Sequence, residues 1–477
     1  MTGRLDEGLD RCLLDNVWRG GVLSARTSCV EGCVFVNKNK LVIYSTASSL
    51  FQALSAFVLV VVVSHVVPAA EYIKYSKFMF WNQLLVVIFF EWLRIAALRH
   101  VHDLQTANGG RDLALIAMSY LVCCLGLIAY NVGDYVISRN TVLYELMISI
   151  AVAAQAFGDI SLVMLRFGGR LLEFSKLQVY RNGLLMLLVV AVAVVTRQAI
   201  DAAMAVVVAN LLFLTMLSLF RTRTFVWNFH RIEARIATPF VKFGIYAAAA
   251  SVLHGLVTAI VRAHTLRMMV PELRAAGFSA TFDLLQKPFP LVFAIVATTV
   301  QPEMYRLFDA DMIGNRTKIV RSMTLIVGIL LASLLFTSLG FYFIMPFLFS
   351  EFASVNITSL VVPIALYFFA LNMLQSVVAL VPHMMKLSVF CLVSAGAHLG
   401  LTMLVFALHL VRSPLDLLYM ESGIILVLIG TNAMFFAVLL RARARKLCAA
   451  IPSEAMAGLS AQGDQSSAGR VRWWRVN

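Results

Sequence analysis

Charged residues are scarce in this chain: they make up 13% of its 477 positions, about half the share of a soluble globular domain. Acidic residues are the scarcer sign, 25 against 39 lysines and arginines, for a formal charge of +14. A chain so poor in charge cannot clothe the surface of a soluble protein of this size. Sequence signatures of common catalytic machinery are missing as well. There is no G-x-x-x-x-G-K-[ST] phosphate loop, which excludes a P-loop ATPase domain within this sequence. There is no H-E-x-x-H and no G-x-S-x-G. The seven cysteines outline no disulfide framework: Cys12, Cys29, Cys33 and Cys448 fall in segments expected in the reducing cytosol, and the others lie in apolar runs. Cys29 and Cys33 form a single C-x3-C without a second pair, which reads as two separate thiols rather than a zinc site. The nine histidines are scattered, and no cluster completes a metal site. No metal and no cofactor is expected.

What the chain has is apolar length. It is 61% hydrophobic with a mean hydropathy of +0.86, a balance reached when most residues face lipid or other helices inside a bilayer. From Leu41 onward, apolar runs occupy residues 41–67, 78–98, 112–131, 141–165, 180–197, 201–220, 241–263, 278–300, 322–347, 357–382, 387–411 and 418–440. The expected fold is an all-α polytopic membrane protein of about twelve transmembrane helices. The fourth run, with Asp159, and the eighth, with Asp283, Lys287, Pro288 and Pro290, are the least regular.

The bases set the orientation. With the N-terminus in the cytosol, 30 of the 39 lysines and arginines fall on the cytosolic side and 8 on the other, with Lys287 inside a run. This bias alternates loop by loop, as the positive-inside rule requires. It places both termini in the cytosol and the protein in a bacterial inner membrane. The net positive charge is thereby a topology signal, and no nucleic-acid partner is expected.

Residues 1–40 hold no apolar run long enough for a signal peptide. They read either as a cytosolic tail or as an extension from a start codon placed too early. A basic linker at 221–240 separates a first six-helix bundle, 41–220, from a second, 241–440. Residues 441–477 read as a cytosolic tail that ends Arg470-Val-Arg-Trp-Trp-Arg475, disordered or touching anionic headgroups. The two bundles carry a trace of a repeat. Lys40-Leu-Val-Ile-Tyr44 matches Lys242-Phe-Gly-Ile-Tyr246 at an offset of 202, which also aligns Ala47 with Ala249, Ser49 with Ser251 and Leu54 with Leu256. Two parallel six-helix halves around a central cavity, rocking to give alternating access, fit this pattern.

Ionisable groups inside a bilayer are costly, so each is a functional candidate. Asp283 and Lys287 stand four apart on one helix face. They form either a structural ion pair or a site in which Lys287 meets an anionic substrate, beside a hinge at Pro288 and Pro290. Arg262 either snorkels to the outer interface or faces the cavity. Arg94 either pairs with Glu91 three residues earlier or does the same. Asp159 is a proton or cation site, or a partner of Arg166. Asn372 and Gln375 suit hydrogen bonds between helices.

Several stretches resemble the Wzx-type polysaccharide and O-antigen flippases, the polysaccharide-transporter branch of the multidrug/oligosaccharidyl-lipid/polysaccharide exporters. Residues Lys40 to Asp103 resemble their N-terminal part, with Glu71-Tyr72 as an acidic-Tyr element and Glu91-Trp-Leu-Arg94-Ile-Ala-Ala-Leu-Arg99 closing the second helix. Phe282-Asp283-Leu-Leu-Gln-Lys287 resembles their eighth-helix element. The ninth helix follows the basic loop Arg316 to Arg321 and closes at Phe347-Leu-Phe-Ser-Glu351-Phe352. The likeness runs from about residue 40 to 445. It departs in the N-terminal extension and in Ser350-Glu351, which replaces a small-residue turn.

This resemblance implies twelve helices, a basic cavity, and flipping of an undecaprenyl-pyrophosphate-linked oligosaccharide for exopolysaccharide or O-antigen synthesis. Arg94, Arg262 and Lys287 would be the substrate-binding bases, and Asp283, Asp159, Asn372 and Gln375 the polar or ion-coupling groups. Partners would be the lipid-linked oligosaccharide, membrane lipids, a polysaccharide polymerase and a chain-length regulator. The alternatives are a multidrug/cation antiporter of the related extrusion group and a membrane-embedded polymerase or ligase. The antiporter would hold cavity carboxylates without nearby Lys or Arg. The enzyme would carry its chemistry on a large outer loop, and the outer loops here are short. Lipid II flipping commonly involves fourteen helices, two more than the runs supply.

Overall fold

A computed structural model of the chain describes residues 27–107, 111–138, 142–167, 170–219, 234–269, 272–293, 314–348, 358–385 and 389–449, with residues 300, 304–305, 307–308 and 387 between them. The described residues are helical throughout, apart from short links. The helices are α1 Thr27–Val66, α2 Ala69–Ala107, α3 Arg111–Ser138, α4 Val142–Phe167, α5 Leu171–Thr196 and α6 Ala199–Leu219. After them come α7 Ala234–Met268, α8 Glu272–Leu285, α9 Arg316–Leu348, α10 Thr358–Met384, α11 Val389–Ala407 and α12 Pro414–Ala449. Eleven contain a stretch long and apolar enough to cross a membrane; α8 is the exception.

Several links are short because the chain itself stops the helices. Pro68 lies between α1 and α2, where its ring and missing N–H end helical pairing. Arg197 closes α5 with a left-handed φ of 55°, its N–H donating to Ala193 O, and α6 begins two residues later. The expected tails and linker are partly helical: α1 already starts at Thr27, α7 at Ala234, and α12 continues to Ala449. Apolar runs mark only the lipid-crossing part of a helix, and these extensions are polar. The Trp-Trp segment, Ser350-Glu351 and the side chains of Cys29 and Cys33 lie outside the described residues.

The halves repeat one packing scheme. In the first, α1 lies on α5, α2 and α3 on α4, and α4 and α5 on α6; in the second, α7 lies on α11, α8 and α9 on α10, and α10 and α11 on α12. The offset of 202 (Lys40 to Lys242) carries the end of α1 at Val66 onto the end of α7 at Met268. The repeat read from the first helix is therefore a property of whole halves. In the second half α10 is the inner helix, buried over 67% of its apolar window.

The halves meet mainly where α2 packs against α7, with α8 adding contacts to α1 and α2. Gly244 makes the close approach possible: a Cβ there would sit 2.6 Å from the Trp92 carbonyl oxygen. Trp92 also meets Phe240 edge-on, and Gly255 faces Leu84. Arg262 reaches Ser76 further along. These successive contacts run in opposite directions on the two helices, so α2 and α7 form one long antiparallel seam.

Candidate functional site: the seam between the halves

Asp283 does not pair with Lys287. Its carboxylate takes an ion pair from Arg262 on α7 at 3.0 Å, a hydrogen bond from Ser76 Oγ on α2, and a longer one, 3.4 Å, from Tyr72 OH. Arg262 also donates to Ser76 Oγ at 2.5 Å. Its guanidinium lies between the rings of Phe80, at 5.1 Å, and Phe282, at 5.3 Å. Arg262 is buried, so the snorkelling expectation is overturned. Three helices from both halves thus close on one salt bridge, with hydroxyls and aromatic faces satisfying most of what the ions lose on leaving water.

The i,i+4 expectation fails because the helix does not continue through Lys287. Pro288 and Pro290 supply no N–H to the ladder, and α8 stops at Leu285 instead of spanning 278–300. The Lys287 N–H reaches back only three residues, to Leu284 O at 3.3 Å, before a second helical segment resumes at Pro288. Lys287 is exposed, and among the described residues its ammonium forms no ion pair or hydrogen bond. Its ammonium is set deep enough among surrounding protein atoms to be desolvated, and beyond that it feels the charges of both Asp283 and Arg262. A cation without a partner among the described residues therefore stands beside the seam at a break in the helix.

The other candidates lie apart. Arg94 pairs with Glu91 through Nε at 2.7 Å and a second, shorter contact, the local pair expected from their spacing. Asp159 pairs with Arg181 on α5 at 2.5 Å rather than with Arg166, and Arg181 also covers the Phe213 ring. Asn372 donates to Phe368 O in its own helix and not to a neighbouring helix. Directly after it α10 widens into a π-helical turn, Met373–Val378. Such turns occur frequently at functional sites. Gln375 within it is exposed and makes no hydrogen bond among the described residues.

Two features were not anticipated. A cavity of about 800 Å³ opens in the first half, at the end expected to face outward. Glu71, Asp134 and Glu145 line it with Lys74, Lys77, Phe78, Trp81 and other aromatics. Glu71 is held by Lys74 at 2.5 Å and by the Ala199 N–H at 3.1 Å. In the second half, two of the scattered histidines meet a glutamate: His254, His398 and Glu421 lie in contact inside the bundle. The signal was available, because each is a lone ionisable side chain in an apolar run. Among the described residues no group of His, Cys, Asp or Glu is arranged to hold a metal ion.

No protein-family model matches the chain, and no curated protein matches its sequence. Solved structures do match its fold. A Vibrio cholerae MATE transporter, VcmN, in a point-mutant form, superposes with a TM-score of 0.63 at 14% identity, covering 84% of this chain and 97% of the other. A multidrug resistance MATE family transporter of the MOP superfamily, in an outward-facing conformation, gives 0.62 at 12% identity, with 85% and 96% covered. A MATE protein in its straight conformation gives 0.62 at 13%, with 84% and 96% covered. At these identities the likeness establishes the architecture, which is that of the MATE transporters: all-helical, in two halves.

Proposed function

We propose that the chain is a transporter working by alternating access between its two halves, and that its cargo is an undecaprenyl-pyrophosphate-linked oligosaccharide. Lys287 carries the reading. Lys287 is an exposed residue at a helix break beside the seam, with no ion-pair partner for its ammonium among the described residues, while the seam carboxylate already has Arg262 for a partner. A pyrophosphate leaving water needs positive charge along its path. A drug cation needs the opposite, an uncompensated carboxylate. Asp159 and Asp283 are each neutralised by an arginine. Arg262 acts as a clasp between the halves and Arg94 as half of a local pair, so neither is free to hold cargo in this conformation. The protein sits in the bacterial inner membrane with cytosolic termini, and a polymerase and a chain-length regulator act on what it delivers.

A second reading has its own observation. The cavity of the first half combines three carboxylates with two lysines and several aromatic rings, a lining suited to an amphipathic cation, and the structural neighbours include a multidrug resistance transporter. A deletion strain separates the two. Loss of surface polymer, with lipid-linked units accumulating on the cytosolic leaflet, supports flipping. Normal polymer with raised sensitivity to cationic drugs overturns it in favour of extrusion. In the flipping case Lys287→Ala abolishes polymer export at normal protein abundance, and unchanged export refutes the role given to Lys287.

A further inference from the structure

The second half contains ionisable groups that the seam does not use. His254 on α7 and His398 on α11 approach through their Nδ1 atoms at 3.0 Å. His398 Nε2 lies 3.3 Å from Glu421 Oε2 on α12, and Thr402 Oγ1 donates to the same oxygen at 3.0 Å. His398 and Glu421 are 0% exposed and His254 is 4% exposed. Glu421 Oε1 is buried without a hydrogen-bond partner, and among the described residues no lysine or arginine pairs with this carboxyl group. The other titratable groups on the helices around α12 are few. Tyr367 of α10 bonds Thr258 Oγ1 at 3.0 Å and feels Glu421. His383 of α10 lies 4.0 Å from Cys391 of α11, and His264 of α7 packs on Phe406.

We infer that His254, His398 and Glu421 form a binding site for one proton, and that transport is coupled to a proton gradient through it. The hydrogen bonds dictate two states. With Glu421 ionised, His398 Nε2–H donates to Oε2, and His254 Nδ1–H donates to the bare His398 Nδ1; the cluster carries one negative charge. A proton bound at His254 Nε2 releases the Nδ1 proton to His398 Nδ1, and His398 passes its Nε2 proton to Glu421 Oε2. Each imidazole that gains a proton on one nitrogen gives up the proton on its other nitrogen, the carboxyl becomes neutral, and every contact keeps one hydrogen. Sequestered from water, a carboxylate with an unpartnered oxygen and no opposing cation is costly. Bound proton and closed packing therefore favour one another, and release goes with a conformation that admits water. The purely structural alternative, a histidine bonded to a glutamate to fix the core, leaves the bare Oε1 unexplained.

The coupling half of the inference rests on the transporter reading and follows a chain of contacts. His254, Thr258 and Arg262 are spaced one turn apart along α7. Thr258 bonds Tyr367, whose ring stacks with Phe282 at 6.4 Å, and Phe282 lies against the Arg262 guanidinium. A proton that changes how α7 sits against α11 and α12 acts on the helix whose Arg262, paired with Asp283 in its own half, grips Ser76 of the other half.

The first test uses the purified full-length protein in nanodiscs and the proton as probe. Infrared difference spectra between acidic and alkaline buffer are expected to show the C=O band of one water-excluded carboxylic acid. The band should disappear in Glu421→Gln and move in His398→Gln, with both variants still monodisperse by gel filtration. A band unchanged in Glu421→Gln overturns the site. The second test applies a pH jump to proteoliposomes on a solid support without any cargo. The wild type should give a transient charge displacement and Glu421→Gln should lose it; equal currents overturn the site. Neither readout needs a cargo, so a wrong cargo leaves both results unchanged. In cells, polymer export by the wild type should stop when the pH gradient is collapsed at constant membrane potential; continued export overturns the coupling and leaves the site standing.

Discussion

The bridge from Arg262 to Asp283 gives the sharpest energetic expectation. Removing one member of a buried pair leaves the other charge uncompensated, at a cost of about 3–5 kcal/mol. Both ions here retain some support. In Arg262→Met, Asp283 keeps the Ser76 and Tyr72 hydroxyls. In Asp283→Asn, Arg262 keeps the Phe80 and Phe282 faces. Each single change should fall at the lower end, about 3 kcal/mol, which is roughly a hundredfold in an equilibrium constant. The double variant Arg262→Met/Asp283→Asn buries no charge and should recover to within about 1–2 kcal/mol of the parent.

Denaturant titration in mixed micelles measures the cycle, and the expected interaction term is about 4–5 kcal/mol in magnitude, above the usual range for contacting residues. The pair holds the other half through Ser76 and Tyr72 of α2, so part of the loss should appear as separation rather than unfolding. Spin labels at Leu187 on α5 and Val393 on α11, both largely exposed, would report it as a broader distance distribution in the single variants. Single changes that add to within about 0.5 kcal/mol, with unaltered distances, would refute the clasp.

Other outcomes follow from the same geometry. Gly244→Ala forces a Cβ to 2.6 Å from the Trp92 backbone oxygen, which cannot yield, and should cost about 1–3 kcal/mol by overpacking, read as a lower melting temperature. Gly255→Ala meets only the flexible end of Leu84 at 3.1 Å and should cost less; equal losses would contradict this seam. Asp159→Ala strands Arg181 and should lower stability within the first half by about 3 kcal/mol, an effect reversed in Asp159→Ala/Arg181→Met and absent from Arg166 variants. Reporter fusions after Gly110 and Arg223 should report cytosol, and one after Arg412 the opposite side; any exchange overturns the orientation.

Legibility in the sequence followed the range of the interaction. Helix number was plain because each lipid crossing needs about twenty apolar residues, whereas polar helix extensions, such as the start of α1 at Thr27, leave no mark in hydropathy. Glu91 with Arg94 was legible because both partners lie on one turn. For Asp283 and Asp159 the ion-pair partner offered by the sequence lay on the same helix, four and seven residues away, and the partner in the structure comes from another helix. For Asp283 the prolines already told against the local pair, since a break at Lys287 removes the geometry that i,i+4 presumes. The histidine cluster was harder still, because His254 and His398 are 144 positions apart and come together only once α7 packs on α11. The repeat held that information. If the second half copies the first, α7 must lie on α11 as α1 lies on α5, and an ionisable residue on either helix then acquires a neighbour that can be looked for. In a chain this apolar, where few side chains can hold charge, that search involves a handful of residues, and His254, His398 and Glu421 are among them.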